Sequence, residues 1–178
     1  FRSHTPLHVA MVRKWLIGAV SRALKPGCQM DYCLVLFGLQ GVLKSTSLKA
    51  LAGADWFTSS YADQNKDFLL NVHSCWIYEL AELESITSKN QVGELKNLLS
   101  TPVDTFRKHY GRTAELMPRQ SVFCATVNKE QFLRDDTGNR RFWVVPIEGE
   151  EKLDRKAIQA ARDSIWKVPR GSAFLIIA

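Results

Sequence analysis

The stretch that decides the fold covers residues 32–46 and reads YCLVLFGLQGVLKST. Residues 32–37 form a short, unbroken apolar run, which is typical of a strand that is buried on both faces. The run ends at Gly38, and a helix is expected to begin near Lys44. A strand, a glycine-bearing turn and a helix in this order are the setting in which phosphate-binding loops occur.

The turn itself carries the groups that such a loop uses. Gly38 and Gly41 let the backbone turn sharply, so that N–H groups of the loop and of the helix N-terminus point at anionic oxygens. Lys44 would reach the β- and γ-phosphates of a bound nucleotide, and Ser45 would place its hydroxyl on Mg²⁺. The residues expected at this site are Gly38, Gln40, Gly41, Val42, Leu43, Lys44, Ser45 and Thr46.

The loop departs from the full pattern G-x-x-x-x-G-K-[ST] at one position. The pattern has glycine where this chain has Leu43. Glycine keeps side-chain bulk away from the phosphates and permits backbone dihedral angles that leucine tolerates poorly. Two interpretations follow: a nucleotide site, or a glycine-bearing turn without a ligand. The strand, the Lys-Ser-Thr sequence and the later motifs favour the nucleotide site.

Outside this stretch, apolar runs predict three more buried strands, at residues 74–78, 121–127 and 142–145. Helices are predicted after Thr5-Pro6, after the capping-box sequence at residues 88–91, and from about residue 150 to Trp166. Residues 103–118 predict a hairpin around Tyr110-Gly111-Arg112. Strands that alternate with helices indicate an α/β fold with a mainly parallel central sheet flanked by helices. We expect residues 1–147 to form the core and residues 148–178 a helical region.

Polar residues follow two of these strands. Glu79 comes at the end of the run at 74–78, and Asn128 follows the run at 121–127. Because ligands of open α/β sheets bind outside the carboxyl ends of the strands, both residues are candidates for the site.

Composition narrows the class of protein and of partner. The 178 residues include 24 Lys and Arg against 18 Asp and Glu, a net charge of +6 that suits a polyanionic partner. No apolar run approaches the roughly 18 residues that span a bilayer, so no membrane association is expected. The four cysteines lack a C-x-x-C pair and predict free, buried thiols in a reducing cytosol rather than a metal site. Because the sequence begins with Phe1, we expect a piece of a longer protein.

Five motifs occur in one order: GLQGVLKST, WIYELAEL, YGR, PRQSVFCATVN and TGNRRFW. Over roughly residues 30–147 the chain resembles the virulence-associated E family, the helicase-like part of phage and plasmid primase–helicases. That family is similar to superfamily-3 helicases within the AAA+ ATPases. The resemblance implies a P-loop NTPase that binds ATP and Mg²⁺, assembles into a hexameric ring and moves along single-stranded DNA. It also implies a cytoplasmic protein with a linked primase domain outside this chain.

The resemblance also implies roles for individual side chains. Glu79 matches the acidic motif that holds Mg²⁺, and Glu82 matches the acid that orients the attacking water, although the two roles could be exchanged. Glu84 is interpreted as a surface residue. Asn128 resembles the residue that senses the γ-phosphate, or it caps the following helix.

Two further features of the family concern its partners. Arg140 and Arg141 resemble a motif that reaches the nucleotide of the adjacent subunit, and the choice between them stays open. In superfamily-3 helicases a hairpin at the place of residues 103–118 projects into the ring channel. The DNA contacts that this implies are Arg107, Lys108, Tyr110 and Arg112.

The leading hypothesis is therefore the ATPase domain of a mobile-element DNA replication protein. The alternative is a catalytically impaired nucleic-acid-binding or ring-structural module, because Leu43 replaces the loop glycine. A third hypothesis, a P-loop kinase of a small substrate, leaves the paired arginines and the basic hairpin unexplained.

Overall fold

A computed structural model of the chain describes residues 5–61, 67–85, 89–107, 112–128, 139–149 and 152–167. The helices are α1 Pro6–Leu24, α2 Lys44–Ala52, α3 Phe68–Ser74, α4 Lys89–Ser100 and α5 Arg155–Trp166. The strands are β1 Cys33–Phe37, β2 Phe57–Tyr61, β3 Ile77–Ala81, β4 Val103–Phe106, β5 Glu115–Pro118, β6 Val122–Val127 and β7 Phe142–Pro146. Short 3₁₀ turns lie at Ala54–Trp56, Leu83–Ser85 and Asn139–Arg141.

Five strands form one sheet in the order β2-β3-β6-β1-β7, and every pairing between neighbours is parallel. Strands β4 and β5 form a separate antiparallel pair, as the hairpin pattern predicts. The prediction of a mainly parallel central sheet flanked by helices is confirmed.

The sheet separates two hydrophobic cores because successive side chains of a strand point to opposite faces. In β1, Cys33 and Val35 belong to the core that contains the apolar faces of α3 and α4. Leu34 and Leu36 belong to the core on the other face, with α1 and α2. The unbroken apolar run of β1 thus reflects burial on both faces.

Helix boundaries follow local capping chemistry. The Thr5 hydroxyl accepts a hydrogen bond from the His8 N–H (3.3 Å), and Pro6 occupies the first turn, so α1 begins where predicted. Helix α5 begins at Arg155, later than the predicted residue 150. Gly149 has a φ of +83°, which is incompatible with a helix, and the Asp154 carboxylate accepts from the Ala157 N–H (2.9 Å).

The predicted bounds of the second strand are wrong. Ser74 is the last residue of α3, and β3 begins only at Ile77. Glu79 therefore lies in the middle of β3, paired in register with Cys124 of β6, rather than at the end of a strand. Cys75 and Trp76 are apolar and pack in the hydrophobic cores although they lie outside the strand, which explains why the predicted strand begins too early.

Helix α5 packs against α2. The Trp166 indole N–H donates to the Leu51 carbonyl oxygen (2.8 Å), and its ring centroid lies 4.4 Å from that of Trp76. All four cysteine thiols are free, and those of Cys33, Cys75 and Cys124 are buried. Within the described ranges, none of the helices has the length and apolar character to traverse a bilayer.

Candidate functional site

The carboxyl ends of β3, β6 and β1 meet at one edge of the sheet, because these neighbouring strands run parallel. This brings together side chains that are far apart in sequence. A cavity of about 530 Å³ opens there. The polar side chains that line it are Ser45, Ser59, Glu79, Glu82, Glu84, Ser85, Thr126 and Asn128.

The loop between β1 and α2 has two positions that favour glycine. A Cβ on Gly38 would lie 2.8 Å from the Ile147 carbonyl oxygen, too close for any other residue without movement. Gly41 has a φ of +87°. Both observations agree with the sharp turn predicted from the two glycines.

Leu43 adopts the left-handed conformation, with φ 64° and ψ 34°. Glycine reaches these angles without penalty, whereas another L-residue is destabilised by about 1–2 kcal/mol. Position 43 therefore has the backbone geometry for which the phosphate-binding pattern uses glycine, although the residue is leucine. The Leu43 carbonyl oxygen accepts the Ser47 N–H (2.9 Å), so this strained residue also begins the α2 hydrogen-bond ladder.

Lys44 folds back onto its own loop. Its ammonium donates to the carbonyl oxygens of Gly38 (2.7 Å) and Leu39 (2.7 Å) and to Oδ1 of Asn128 (3.0 Å). The side chain is buried, and this desolvation lowers the pKa of Lys44, an effect that the Glu84 carboxylate opposes. Three neutral oxygens thus use the three donors of a buried positive charge.

Glu79 and Ser45 are joined through one hydroxyl. Thr126 Oγ1 donates to Oε1 of Glu79 (3.0 Å) and lies 3.1 Å from Ser45 Oγ. Since the Thr126 proton goes to the carboxylate, Ser45 is the donor in the second bond. The carboxylate of Glu79 is buried inside the sheet, and this hydroxyl chain extends from it to the first turn of α2.

The other two glutamates occupy the turn after β3. Glu82 is exposed, has a φ of +50°, and accepts a hydrogen bond from the Tyr61 hydroxyl (2.9 Å), which raises the pKa of Tyr61. Glu84 accepts the main-chain N–H of Asn128 through Oε1. Glu84, which was interpreted as a surface residue, is partly exposed and also lines the cavity wall. The 3₁₀ turn at Leu83–Ser85 points its side chain back toward β6.

The remaining loop residues differ in exposure. Gln40 is exposed, Thr46 is half-buried, and Val42 is buried, with its carbonyl oxygen accepting the Leu153 N–H (3.0 Å).

The sequence pattern of the virulence-associated protein E-like domain matches residues 2–168. The chain belongs to this family.

Among the solved structures that are similar to this chain, two show the same fold. A form-A apo structure of the NrS-1 C-terminal region has a TM-score of 0.60 at 17% identity, over 89% of this chain and 41% of that chain. An apo structure of the NrS-1 C-terminal region (305–718) has a TM-score of 0.59 at 15% identity, over 88% and 41%. This chain therefore spans less than half the length of those structures. Among curated proteins, no sequence matches it.

The two family-motif arginines have different surroundings. Arg141 Nε donates to Ser100 Oγ (3.0 Å) at the end of α4, whereas Arg140 is exposed. Both lie in the 3₁₀ turn before β7, and neither lines the cavity as far as the described residues define it. Arg140 is thus the arginine whose side chain stands in solvent.

The hairpin residues expected to contact DNA fall into two groups. Arg107 and Arg112 are exposed at the distal ends of β4 and β5. Lys108 and Tyr110 lie outside the described residues. The base of the hairpin is held by a buried ion pair in which Asp104 accepts from Arg119 Nε (2.7 Å) and Nη2.

Sequence reasoning missed Thr126 as a site residue. A signal for it was available, because Thr126 near the end of β6 and Asn128 just after it are two residues apart, the spacing that places side chains of an extended chain on the same face. A threonine in the otherwise apolar run VFCATV marks the face of β6 that turns toward polar neighbours.

Proposed function

We propose that this chain is the ATPase domain of a phage or plasmid DNA replication protein, which couples ATP hydrolysis to movement along single-stranded DNA in an oligomeric ring. One observation carries the proposal: Ser45, Glu79 and Asn128, from three different segments, line one cavity beside three neighbouring parallel strands, and Lys44 joins them through its hydrogen bond to Asn128. The family membership and the family's resemblance to AAA+ helicases give this arrangement its reaction class.

The residues present fit Mg²⁺. Mg²⁺ prefers oxygen ligands, usually one or two from the protein, with phosphate oxygens and waters completing the octahedron. Ser45 Oγ and the Glu79 carboxylate supply such oxygens and are already linked through Thr126. In the described ranges, no group of three His, Cys, Asp or Glu side chains lies close enough together to hold a metal ion. When bound, Mg²⁺ would neutralise charge on the phosphates.

Lys44 would exchange its present partners for phosphate oxygens. Its ammonium now rests on carbonyl and amide oxygens, which are neutral acceptors. A phosphate oxygen brings a full opposite charge to the ammonium, which a carbonyl or amide oxygen does not, so a triphosphate can displace these acceptors. The released Asn128 amide would then face the γ-phosphate from the end of β6.

Among the described residues, those proposed to orient the attacking water, to reach the neighbouring subunit and to contact DNA are more exposed than Lys44 and Glu79. Glu82, at the cavity rim, would orient the attacking water, and Glu79 would hold Mg²⁺. Arg140 would reach the nucleotide of the neighbouring subunit, because Arg141 is engaged with Ser100. The hairpin cations would contact DNA phosphates without reading sequence.

A second candidate function has its own observation. Leu43 is left-handed and carries a side chain in the loop, and all three Lys44 donors are used within the protein. A loop closed in this way favours a nucleic-acid-binding or ring-structural module without ATP turnover.

The test is ATP turnover at increasing protein concentration, with and without single-stranded DNA. We expect turnover per subunit to rise with assembly, because the adjacent subunit supplies Arg140. Lys44→Met is the control for contaminating ATPases and should abolish turnover. Arg140→Ala should lower it only in the assembled state, whereas Arg141→Ala should lower it less. Wild-type turnover equal to that of Lys44→Met under all conditions would refute the proposal and favour the second candidate.

A further inference from the structure

Thr126, near the end of β6, lies between two other polar residues of the cavity and contacts both of them. Its hydroxyl contacts both Ser45 Oγ and Glu79 Oε1, at 3.1 Å and 3.0 Å. The two contacts join α2 to β3 across the strand that lies between β1 and β3. Thr126 therefore sits between the two side chains to which the proposed function assigns Mg²⁺.

The direction of these hydrogen bonds matters for metal binding. A hydroxyl has one donor and two acceptor lone pairs. Because Ser45 donates its proton to Thr126, the Ser45 lone pairs are directed away from that bond and can face a cation. Because Thr126 donates to Oε1 of Glu79, one carboxylate oxygen is held and the other is left for a metal or a metal-bound water.

The burial of Glu79 makes this hydroxyl more important. Glu79 has only 2% of its surface exposed, so each hydrogen-bond donor that the protein supplies to its carboxylate matters more than it would in open solvent. Outer groups that orient metal ligands typically change metal affinity 10–100-fold when they are removed. A threonine in this position acts through Ser45 and Glu79 and needs no contact with the metal.

We propose that Thr126 is a positioning residue whose hydroxyl orients Ser45 and Glu79 for the divalent cation and so sets the cation affinity of the site. The inference rests on the proposed function, because the cation enters with the nucleotide. It gives a role to a motif residue for which the resemblance implies none, and it names the step that the residue controls.

The experiment measures Mn²⁺ binding by electron paramagnetic resonance in the presence of a non-hydrolysable ATP analogue, on the full chain. Thr126→Val keeps the shape and removes the hydroxyl, and Thr126→Ser keeps the hydroxyl. We expect Thr126→Val to weaken Mn²⁺ binding about 10–100-fold and Thr126→Ser to stay within about threefold of wild type. Binding of the analogue in EDTA should be the same in all three proteins, since Lys44 does not contact Thr126.

Matched controls separate this role from a general effect on the fold. Thr105→Val makes the same change at an exposed strand position and should leave Mn²⁺ binding unchanged. If Thr126→Val fails to fold, Thr126→Ala provides the same comparison with Thr126→Ser. Equal Mn²⁺ affinity in the hydroxyl-free variant and wild type overturns the inference, as does equal weakening in the serine variant. A wild-type protein that binds neither the analogue nor Mn²⁺ overturns the proposed function as well.

Discussion

Among the described residues, two groups of buried charged side chains are built in opposite ways, and a further buried charge, Arg22, donates to main-chain carbonyl oxygens. At the hairpin base, Asp104 is paired with Arg119 and with His73, whose Nε2 lies 2.9 Å from Oδ2. At the cavity, Lys44 is held by neutral oxygens, and Glu79 by the neutral hydroxyl of Thr126. Within the described part of the chain, no ion pair joins Lys44 or Glu79 to an opposite charge.

This difference separates a structural cluster from one that is ready for a ligand. The hairpin cluster neutralises its own charges, and Arg119 also donates to the Leu98 carbonyl oxygen at the end of α4. A buried charge that forms no ion pair is destabilising, and such groups are concentrated at functional sites, although Arg22 shows that main-chain acceptors alone can also hold one. By this reasoning the cavity, rather than the hairpin base, is where the proposed nucleotide and Mg²⁺ would bind.

The largest expected effect contrasts the two groups directly. Asp104→Ala leaves the Arg119 guanidinium buried without a counterion and should lower the free energy of unfolding by about 3–5 kcal/mol. Lys44→Met removes a buried charge that forms no ion pair among the described residues, and it should change the free energy of unfolding by about 1 kcal/mol or less in either direction. Urea unfolding measures both, with Asp163→Ala as a control because that side chain is 92% exposed. Equal losses in both variants would contradict the comparison.

The next effect is the acid sensitivity of the hairpin cluster. Burial by itself would raise the pKa of Asp104, but hydrogen bonds from His73 and Arg119 outweigh it and hold the pKa below its usual 3.8. Because the folded-state pKa is the lower one, the stabilisation is complete above the unfolded-state value and is lost as the pH falls through the folded-state value. The unfolding free energies of wild type and Asp104→Asn should therefore converge below about pH 4. A constant difference down to pH 2 would show that Asp104 does not stabilise through its charge.

Much of the fold follows from local sequence. The apolar runs at β1, β6 and β7, the Thr5-Pro6 helix start and the hairpin all correspond to observed elements. Strand β2 was not predicted, because its sequence FTSSY is mostly polar. It forms at a sheet edge through pairing with β3, a partner distant in sequence that local patterns do not reveal. The seven-residue helix α3 was missed for lack of a full helical repeat.

The sequence predicts those site residues that are close to one another along the chain. It does not predict contacts that depend on how distant segments pack together. Lys44 and Ser45 could be found because a strand, a turn and a helix place them together. The contact between Glu84 and Asn128 depends on how the turn after β3 folds back, which nothing in the local sequence specifies. The pairing of Asp104 with Arg119 likewise arises from hairpin register, in which Asp104 faces Met117 and Arg119 follows the last strand residue.

A smaller effect concerns the strained residue of the cavity loop, which has no counterpart at the hairpin base. Leu43→Gly relieves about 1–2 kcal/mol of left-handed strain but increases backbone freedom in the unfolded chain, so stability should change by about 1 kcal/mol or less. Removing the side chain from the loop should tighten binding of an ATP analogue by up to about tenfold, or 1.4 kcal/mol. Calorimetric titration measures this, with Leu43→Ala as the variant that keeps the strain. Unchanged binding in Leu43→Gly would show that the leucine does not hinder the site.

The smallest effect distinguishes the two adjacent arginines by stability alone. Arg141 donates to Ser100 Oγ at the end of α4, a helix that Arg119 also caps, so Arg141 is connected to the hairpin cluster. Arg141→Ala should lower the free energy of unfolding by about 0.5–1.5 kcal/mol, the usual net contribution of one hydrogen bond. Arg140→Ala removes an exposed side chain and should stay within about 0.5 kcal/mol of wild type.

The control is Ser100→Ala, which should reproduce part of the stability that Arg141→Ala loses. The losses of Ser100→Ala and Arg141→Ala should not add in the double variant, because both break the same hydrogen bond. If Arg140→Ala is the more destabilising variant, the structural role belongs to Arg140, and Arg141 becomes the arginine available to a neighbouring subunit.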